Sequence, residues 1–529
     1  MTLDRGSAQA RTAAAAGVEF HALRAEEVAV GKDVLELLSS AMYVDPMAVY
    51  REYIQNAADG IDEARRQGTL APDEDGRVDI TITPGSRVVR IRDNGAGVVW
   101  PDFAARLVSI GGSAKRGTEA RGFRGIGRLA GLGYAQELVF RSRVAGEDVV
   151  SELRWDCRLL RASLRDDAFE GSLQELISRV TSLGRVPAGD YPERFFEVEL
   201  RGIVRLRTDR LMTPVAVDRY LSQVAPVPFH PGFRFGPAIS DLVGAIAGPG
   251  ALNIHINGAV DPVYRPYRNS IAAAGGRQID YEELEVIEVP DMDGGRAALV
   301  WLLHHAYEGA IPGENLVKGL RLRVGNVQVG ENALLEELFA EPRFNGWSVG
   351  EVHILDRRIV PNARRDNFEQ NAHLNNLLNQ LGPVAREVSR RCRSNSIKRN
   401  WLRRFDLAEG SVEESLAIVG QGGVKGVERE RLITWAEQSV REMGRIAGMP
   451  LLAGPDADQK LVRADALGRQ VAELRDGEGS GAAGLASLSP EKREMYEHLF
   501  ELIYECSANR VVAKKLVDRI LSKITSSDG

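Results

Sequence analysis

Asp45 to Arg66 reads DPMAVYREYIQNAADGIDEARR, with apolar and polar residues set at helical spacing. Asp45 followed by Pro46 predicts a helix start, with an aspartate cap and a proline at the first turn, where its missing N–H is no loss. At about 100° per residue, Tyr50, Ile54, Ala57, Ile61 and Ala64 share one side of that helix. Glu52, Asn56, Asp59 and Glu63 stack within roughly 60° of one another on the other side. A solvated stripe is the plain reading of such a face, and two glycine-rich segments later in the chain argue against it.

Some thirty residues on, an alternating strand with Val89 and Ile91 delivers Asp93 into Asp93-Asn94-Gly95-Ala96-Gly97. Glycines there let a backbone come close to a ligand. A second glycine cluster lies at Gly122, Gly125, Gly127, Gly131 and Gly133, interleaved with Lys115, Arg116, Arg121, Arg124 and Arg128. A basic, N–H-rich segment leading into a helix suits phosphate. GGSAKRG lacks the spacing of a P-loop, and Gly125-Ile-Gly127 with Gly131 does not match the dinucleotide fingerprint.

REYIQNAAD, RDNGAG and GFRGIGRLAGLG, in this order, resemble the nucleotide-binding motifs of the GHKL ATPases, which include gyrase, heat shock protein 90, histidine kinases and MutL. The resemblance covers roughly residues 30–145. It implies an α+β fold, an α/β sandwich in which a mixed β-sheet is covered by helices. It also implies ATP and Mg2+ as ligands, with Glu52 as general base, Asn56 on Mg2+ and Asp93 accepting the adenine amine. Gly95 and Gly97 would admit the base, Asp59 would support the same face, and Lys115 with Gly122, Gly125 and Gly127 would form a lid over the phosphates.

Farther on, the strand Val349 to Leu355 runs into Pro361-Asn362-Ala363-Arg364-Arg365-Asp366. This is similar to the middle-domain loop of heat shock protein 90, whose arginine reaches the γ-phosphate. The match in register favours Arg365, with Arg364 second, and the absence of a lysine from the loop separates it from MutL and gyrase. By the same resemblance the middle domain is an α/β unit of the ribosomal S5 domain 2-like type. Arg124 and Arg128 replace aromatics usual in the chaperone lid.

With 529 residues the chain is long enough for about three domains. We expect a tail or strap at 1–28, the ATP-binding domain at 29–245, the middle domain at 246–395 and a helical C-terminal region at 396–529. Within the last, Asp476 to Pro490 reads as a flexible Gly/Ser/Ala linker. Leu320 to Val329 alternates as strand, Ala297 to Ala306 reads as strand or short helix, and Ala333 to Phe339 as helix. His304-His305 lacks a metal partner at helical spacing and reads as structural. Met495, Leu499 and Leu502, then Val512, Leu516 and Ile520, mark two amphipathic helices that would complete a core or form a dimer seam.

Hydrophobic residues at 44% with 27% charged describe a folded protein, and a net charge of −6 gives no general basic footprint for nucleic acid. Cys157, Cys392 and Cys506 have no metal-site spacing, and no apolar run reaches the length of a membrane span. The expectation is a cytoplasmic, homodimeric molecular clamp that binds ATP and ADP and acts on protein clients without a membrane. The alternative is a MutL- or MORC-like clamp on DNA, for which the basic stretch Arg390 to Arg404 is the supporting feature. A sensor histidine kinase is disfavoured, for want of a membrane segment and an upstream phosphoacceptor helix.

Overall fold

The computed structural model describes residues 32, 35, 45–109, 127–166, 169, 171–206, 208–247, 251–273, 276–422, 424–477, 485 and 488–527. The chain divides into two compact units, residues 1–305 with 311–385, and residues 306–310 with 386–529.

In the first unit, helix α1 spans Ala48–Arg66. It begins two residues later than Asp45-Pro46 predicts. Asp45 still caps the entry, its Oδ1 accepting from the Met47 N–H at 3.1 Å. Tyr50, Ile54, Ala57, Ile61 and Ala64 are buried as their spacing requires. The opposite stripe is not solvated either, since Glu52 and Asp59 are both buried.

A seven-stranded sheet lies against this helix. Its strands are β1 (Arg77–Thr83), β2 (Val88–Asp93), β3 (Glu137–Arg143), β4 (Val149–Asp156), β5 (Thr181–Pro187), β6 (Phe195–Arg201) and β7 (Asn253–Ile256). Their order is β5-β4-β3-β6-β2-β1-β7, antiparallel except for the parallel β1/β7 pair. Successive side chains point to opposite faces. Val89, Ile91, Phe140, Leu153, Val198 and Leu200 therefore join the α1 core. Arg141, Glu152, Glu197 and Glu199 fall on the other face, where the Arg141 guanidinium donates to all three carboxylates. Helix α2 (Trp100–Val108) and a 3-10 helix, Gly127–Gly133, complete the frame around the site. Helices α3 (Cys157–Arg165), α4 (Leu173–Val180) and α5 (Pro214–Val224) add Leu160, Leu176 and Leu221 to the same core.

After helix α6 (Gly236–Ala247) and a small hairpin of β8 (Ser270–Ala272) and β9 (Gln278–Asp280) comes a five-stranded sheet. Its strands are β10 (Glu283–Pro290), β11 (Arg296–His304), β12 (Gly319–Val324), β13 (Val327–Val329) and β14 (Val349–Ile354), in the order β10-β11-β14-β12-β13. The stretch Ala297 to Ala306 is thus strand as far as His304. Predicted helix at Ala333 to Phe339 shrinks to a 3-10 turn, Glu336–Leu338. So few residues give little return on helix nucleation, and Pro342 comes soon after. His304 and His305 are structural: one pairs with Glu285 at 2.6 Å, the other with the Trp347 carbonyl at 2.9 Å.

The long helix α7 (Ala372–Gly420) starts in the first unit and continues in the second. There α8 (Gly426–Ala447), α9 (Pro455–Asp476), α10 (Pro490–Cys506) and α11 (Arg510–Ser527) complete the chain. Phe405, Val412, Ile418, Leu432, Met443, Leu467, Phe500 and Val517 form its core. Met495, Leu499, Leu502, Val512 and Leu516 face outward instead. Among the described residues no helix is long and apolar enough to cross a membrane.

Candidate functional site

Strand β2 ends at Asp93, whose side chain lies beneath the next turn. Its Oδ1 accepts from the Gly95 N–H at 2.9 Å. Burial raises the Asp93 carboxyl to about 7, against the opposing pull of that N–H and of Arg194. The turn is held against α1 by the Ala96 N–H on the Gly60 carbonyl at 3.0 Å, and against β3 by the Val98 N–H on Ser142 Oγ at 2.7 Å. Two glycines make this fit possible. A methyl on Gly95 would lie 2.7 Å from both Asp93 Oδ1 and the Gly60 carbonyl carbon. Gly97 has φ +72° and would meet the Arg143 carbonyl at 2.5 Å. The result is a buried carboxylate at the end of a close backbone cradle, chemistry that fits an amine-bearing planar base.

One turn away along α1 lie Asn56, half-buried, and Glu52, buried. Gly127 approaches Glu52 so closely that a methyl there would sit 2.2 Å from Oε2. The glycine therefore places backbone directly on the carboxylate. Tyr53 fixes the same 3-10 helix, its Oη accepting from the Gly131 N–H at 2.9 Å and donating to the Arg128 carbonyl at 3.2 Å. The Arg128 guanidinium donates to the Ser109 carbonyl, while its Nε has no hydrogen-bond partner among the described residues. Burial lowers this guanidinium to about 10. A half-buried cation in this state suits an anionic ligand.

Glu52 Oε1 is met by two cations, Arg51 Nε at 3.7 Å and Arg365 Nε at 3.6 Å. Arg365 belongs to the loop after β14, which closes through a Pro361/Phe368 bridge. Its backbone is left-handed at φ +56°, a conformation that costs a non-glycine residue on the order of 1 kcal/mol or more. Surrounding bonds hold it there. The Arg365 N–H donates to the Asn362 carbonyl at 3.2 Å, and the Arg365 carbonyl accepts from the Gly330 N–H at 2.9 Å. Arg364 contributes backbone instead: its carbonyl accepts from Arg51 at 2.9 Å while its side chain is exposed.

Gly330 comes directly after β13, so the β12–β13 hairpin sets the position of Arg365. That hairpin is anchored by a buried ionic cluster. Glu351 on β14 meets Arg265 at 2.5 Å, Arg323 at 2.6 Å and His353 at 3.0 Å. Burial alone would raise the Glu351 carboxyl, but Arg265, Arg323 and His353 outweigh it and hold it well below the usual range. Arg323 also donates to the Gln223 carbonyl at 2.5 Å and to the Ala225 carbonyl at 3.4 Å, at the C-terminal end of α5. Cations are favoured at that end of a helix. The cluster thereby ties the second sheet to a helix that packs on α1.

Of the residues expected from sequence, Glu52, Asn56, Asp59, Asp93, Gly95, Gly97, Gly127 and Arg365 all lie within this first unit. Lys115, Gly122 and Gly125 lie outside the described residues, as do the tail at 1–28 and much of the expected lid. Sequence reading missed Gln55, buried on α1 with neither amide atom hydrogen-bonded among the described residues. Its spacing, three residues after Glu52 and four before Asp59, was the available signal. It also missed the Arg265–Glu351–Arg323 cluster.

No model of a known protein family matches the chain. Among curated proteins it is similar to chaperone protein HtpG of Legionella pneumophila (strain Paris), 24% identical over 206 residues, which are 36% of this chain and 32% of the relative. Similarity to chaperone protein HtpG of Alkalilimnicola ehrlichii is 23% over 201 residues, 35% and 30% of the two chains. For the Buchnera aphidicola protein of the same name it is 25% over 211 residues, 36% and 32%. The match thus spans about a third of the length of these relatives.

Proposed function

We propose that the chain is an ATP-hydrolysing molecular clamp resembling heat shock protein 90, closing and opening on protein clients. The observation that carries this reading is the convergence of Glu52 and Arg365 beside the buried Asp93 cradle. A distant likeness to chaperones, over about a third of the chain, supports it.

In this reading the Asp93 carboxylate accepts the exocyclic amine of adenine, and Gly95 and Gly97 let the ring lie on the backbone. Gly127 and Arg128 meet the phosphates. Asn56 would offer an amide oxygen to Mg2+, which would supply positive charge to offset that of the phosphates. Glu52 takes one proton from the attacking water as that oxygen bonds the γ-phosphorus and the bond to ADP breaks. Arg365 faces the same point and exchanges its contact with Glu52 for one with the γ-phosphate. That second contact exists only before hydrolysis, so ATP favours the closed state and ADP releases it.

The finer architecture belongs to the same proposal: a GHKL-type ATP-binding domain over 29–245, an S5 domain 2-like middle domain over 246–395 and a helical region beyond. So do cytoplasmic residence and homodimerisation. The DNA-clamp alternative leans on Arg390 to Arg404. Here Arg390 and Arg391 pair with Glu387, Arg404 pairs with Glu442, and Arg399 donates to the Tyr307 carbonyl. These four cations are already engaged within the chain.

Glu52→Ala purified from its own cells with ATP and Mg2+ tests the clamp. Retained protein, released when ADP replaces ATP, is the expected result. Nucleotide-dependent retention of DNA would contradict it.

A further inference from the structure

Three polar side chains other than tyrosine are buried along α1: Glu52, Gln55 and Asp59. Their spacing of three and four residues places them on one stripe of the helix. Glu52 and Asp59 both have partners. Gln55 has none among the described residues. It is 2% exposed, and neither its Oε1 nor its Nε2 is hydrogen-bonded there.

A primary amide carries two donors and an acceptor, and burying it unpaired is a standing cost that an apolar side chain of the same shape would not carry. Helical side chains lean toward the N-terminus, so the Gln55 amide covers the turn that bears Glu52. Its chemistry suits that position. A cation there would compete with Arg365 for Glu52, and a third carboxylate would repel a triphosphate, whereas an amide adds no charge.

We propose that Gln55 is a positioning residue for hydrolysis, orienting the attacking water toward Glu52. The amide Oε1 accepts a hydrogen bond from the water proton that stays on the oxygen. This leaves the other proton directed at Glu52, which takes it as the oxygen–phosphorus bond forms and the bond to ADP breaks. Gln55 neither gains nor loses a proton. The assignment rests on the ATP-hydrolysing reading of the site.

The test uses the full chain with Gln55→Met, unbranched and close in shape, and Gln55→Leu as the second variant. ATP turnover, KM, ADP affinity by calorimetry and the melting temperature of the nucleotide-free protein are measured for each. Turnover should fall about tenfold or more, less than the roughly 10²–10⁴-fold of a full acid–base group because Gln55 only positions the water. KM and ADP affinity should stay within about threefold, and the melting temperature should hold or rise because the unpaired amide is gone. Wild-type turnover in both variants would overturn the proposal. So would a loss of turnover that tracks a fall in melting temperature, the mark of a structural role. Glu52→Ala run alongside separates the two readings. If the wild type shows no Glu52-dependent hydrolysis, the reading of the site fails and this proposal with it. If it does, and Gln55→Met is unaffected, only the role of Gln55 fails.

Discussion

Arg365 Nε lies 3.6 Å from Glu52 Oε1, although one residue sits on the helix against the first sheet and the other in a loop after the second. The contact is made possible by a left-handed backbone at Arg365 and by the Gly330 N–H that holds it. A surface arginine would need neither. This pairing distinguishes Arg365 from its neighbour and underlies the first expectation.

Arg365→Ala should lower ATP turnover by about 100-fold, the effect of removing one preorganised charge donor. Nucleotide affinity should change far less. Arg364→Ala should have little effect, because Arg364 meets Arg51 through its carbonyl. Steady-state turnover of the two variants decides between them.

Gly127→Ala adds a methyl 2.2 Å from Glu52 Oε2. Since that oxygen ends a flexible side chain, the carboxylate should move and the fold should survive. Turnover should drop about tenfold while the melting temperature changes little. A large fall in melting temperature would show instead that the 3-10 helix cannot yield.

Asp93 titrates near 7 in the folded chain against an ordinary 3.8, owing to burial. The folded state therefore holds a proton that the unfolded state has released between those values. Stability should fall as pH rises from about 4 to 7 and then level off, by at most about 4 kcal/mol from this group. Asp93→Asn should remove that slope and also abolish nucleotide binding. Because an amine-bearing ligand favours the carboxylate, adenosine should bind up to about tenfold more tightly at pH 8 than at pH 6. Urea unfolding across pH and adenosine titration check the two halves.

Glu351→Gln leaves Arg265 and Arg323 facing one another without a carboxylate. Breaking such a buried set costs about 3–5 kcal/mol, measurable by denaturant unfolding. In the wild type the depressed Glu351 carboxyl contributes stability above its ordinary value of 4.5, and this is lost as pH falls through the folded value. Loosening this anchor should also weaken the hold on Arg365, so turnover should fall with stability.

The legibility of these features in sequence depends on their range. Alternation in β2 and the Asp-x-Gly-x-Gly turn are local, so Asp93, Gly95 and Gly97 stand out at once. The polar stripe of α1 is equally local, although nothing in its spacing tells a solvated face from a buried one. Burial of Glu52 depends on Gly127 and on Arg365, which come from later in the chain. The run LRLRVGNVQV, Leu320 to Val329, alternates as one strand in sequence, the pattern of a half-buried element, whereas the chain turns at Gly325-Asn326 into β12 and β13. Arg321, Arg323 and Gln328 are nevertheless buried, because Glu351 and the carbonyls at Gln223 and Ala225 receive the Arg323 guanidinium, and Gln328 receives that of Arg321. Only tertiary pairing makes those cations core residues. Gln55 is hidden for a related reason, since an amide beside Asn56 looks like one more polar position until it is found buried with no hydrogen-bond partner among the described residues.

Whether Glu52 is the general base of an ATPase is decided by comparing wild type with Glu52→Ala for ATP binding and hydrolysis under Mg2+. The variant should bind ATP within about threefold of wild type and lose nearly all turnover, the pattern of a group needed only in the transition state. Equal turnover in the two proteins, or no ATP binding by either, would contradict that role.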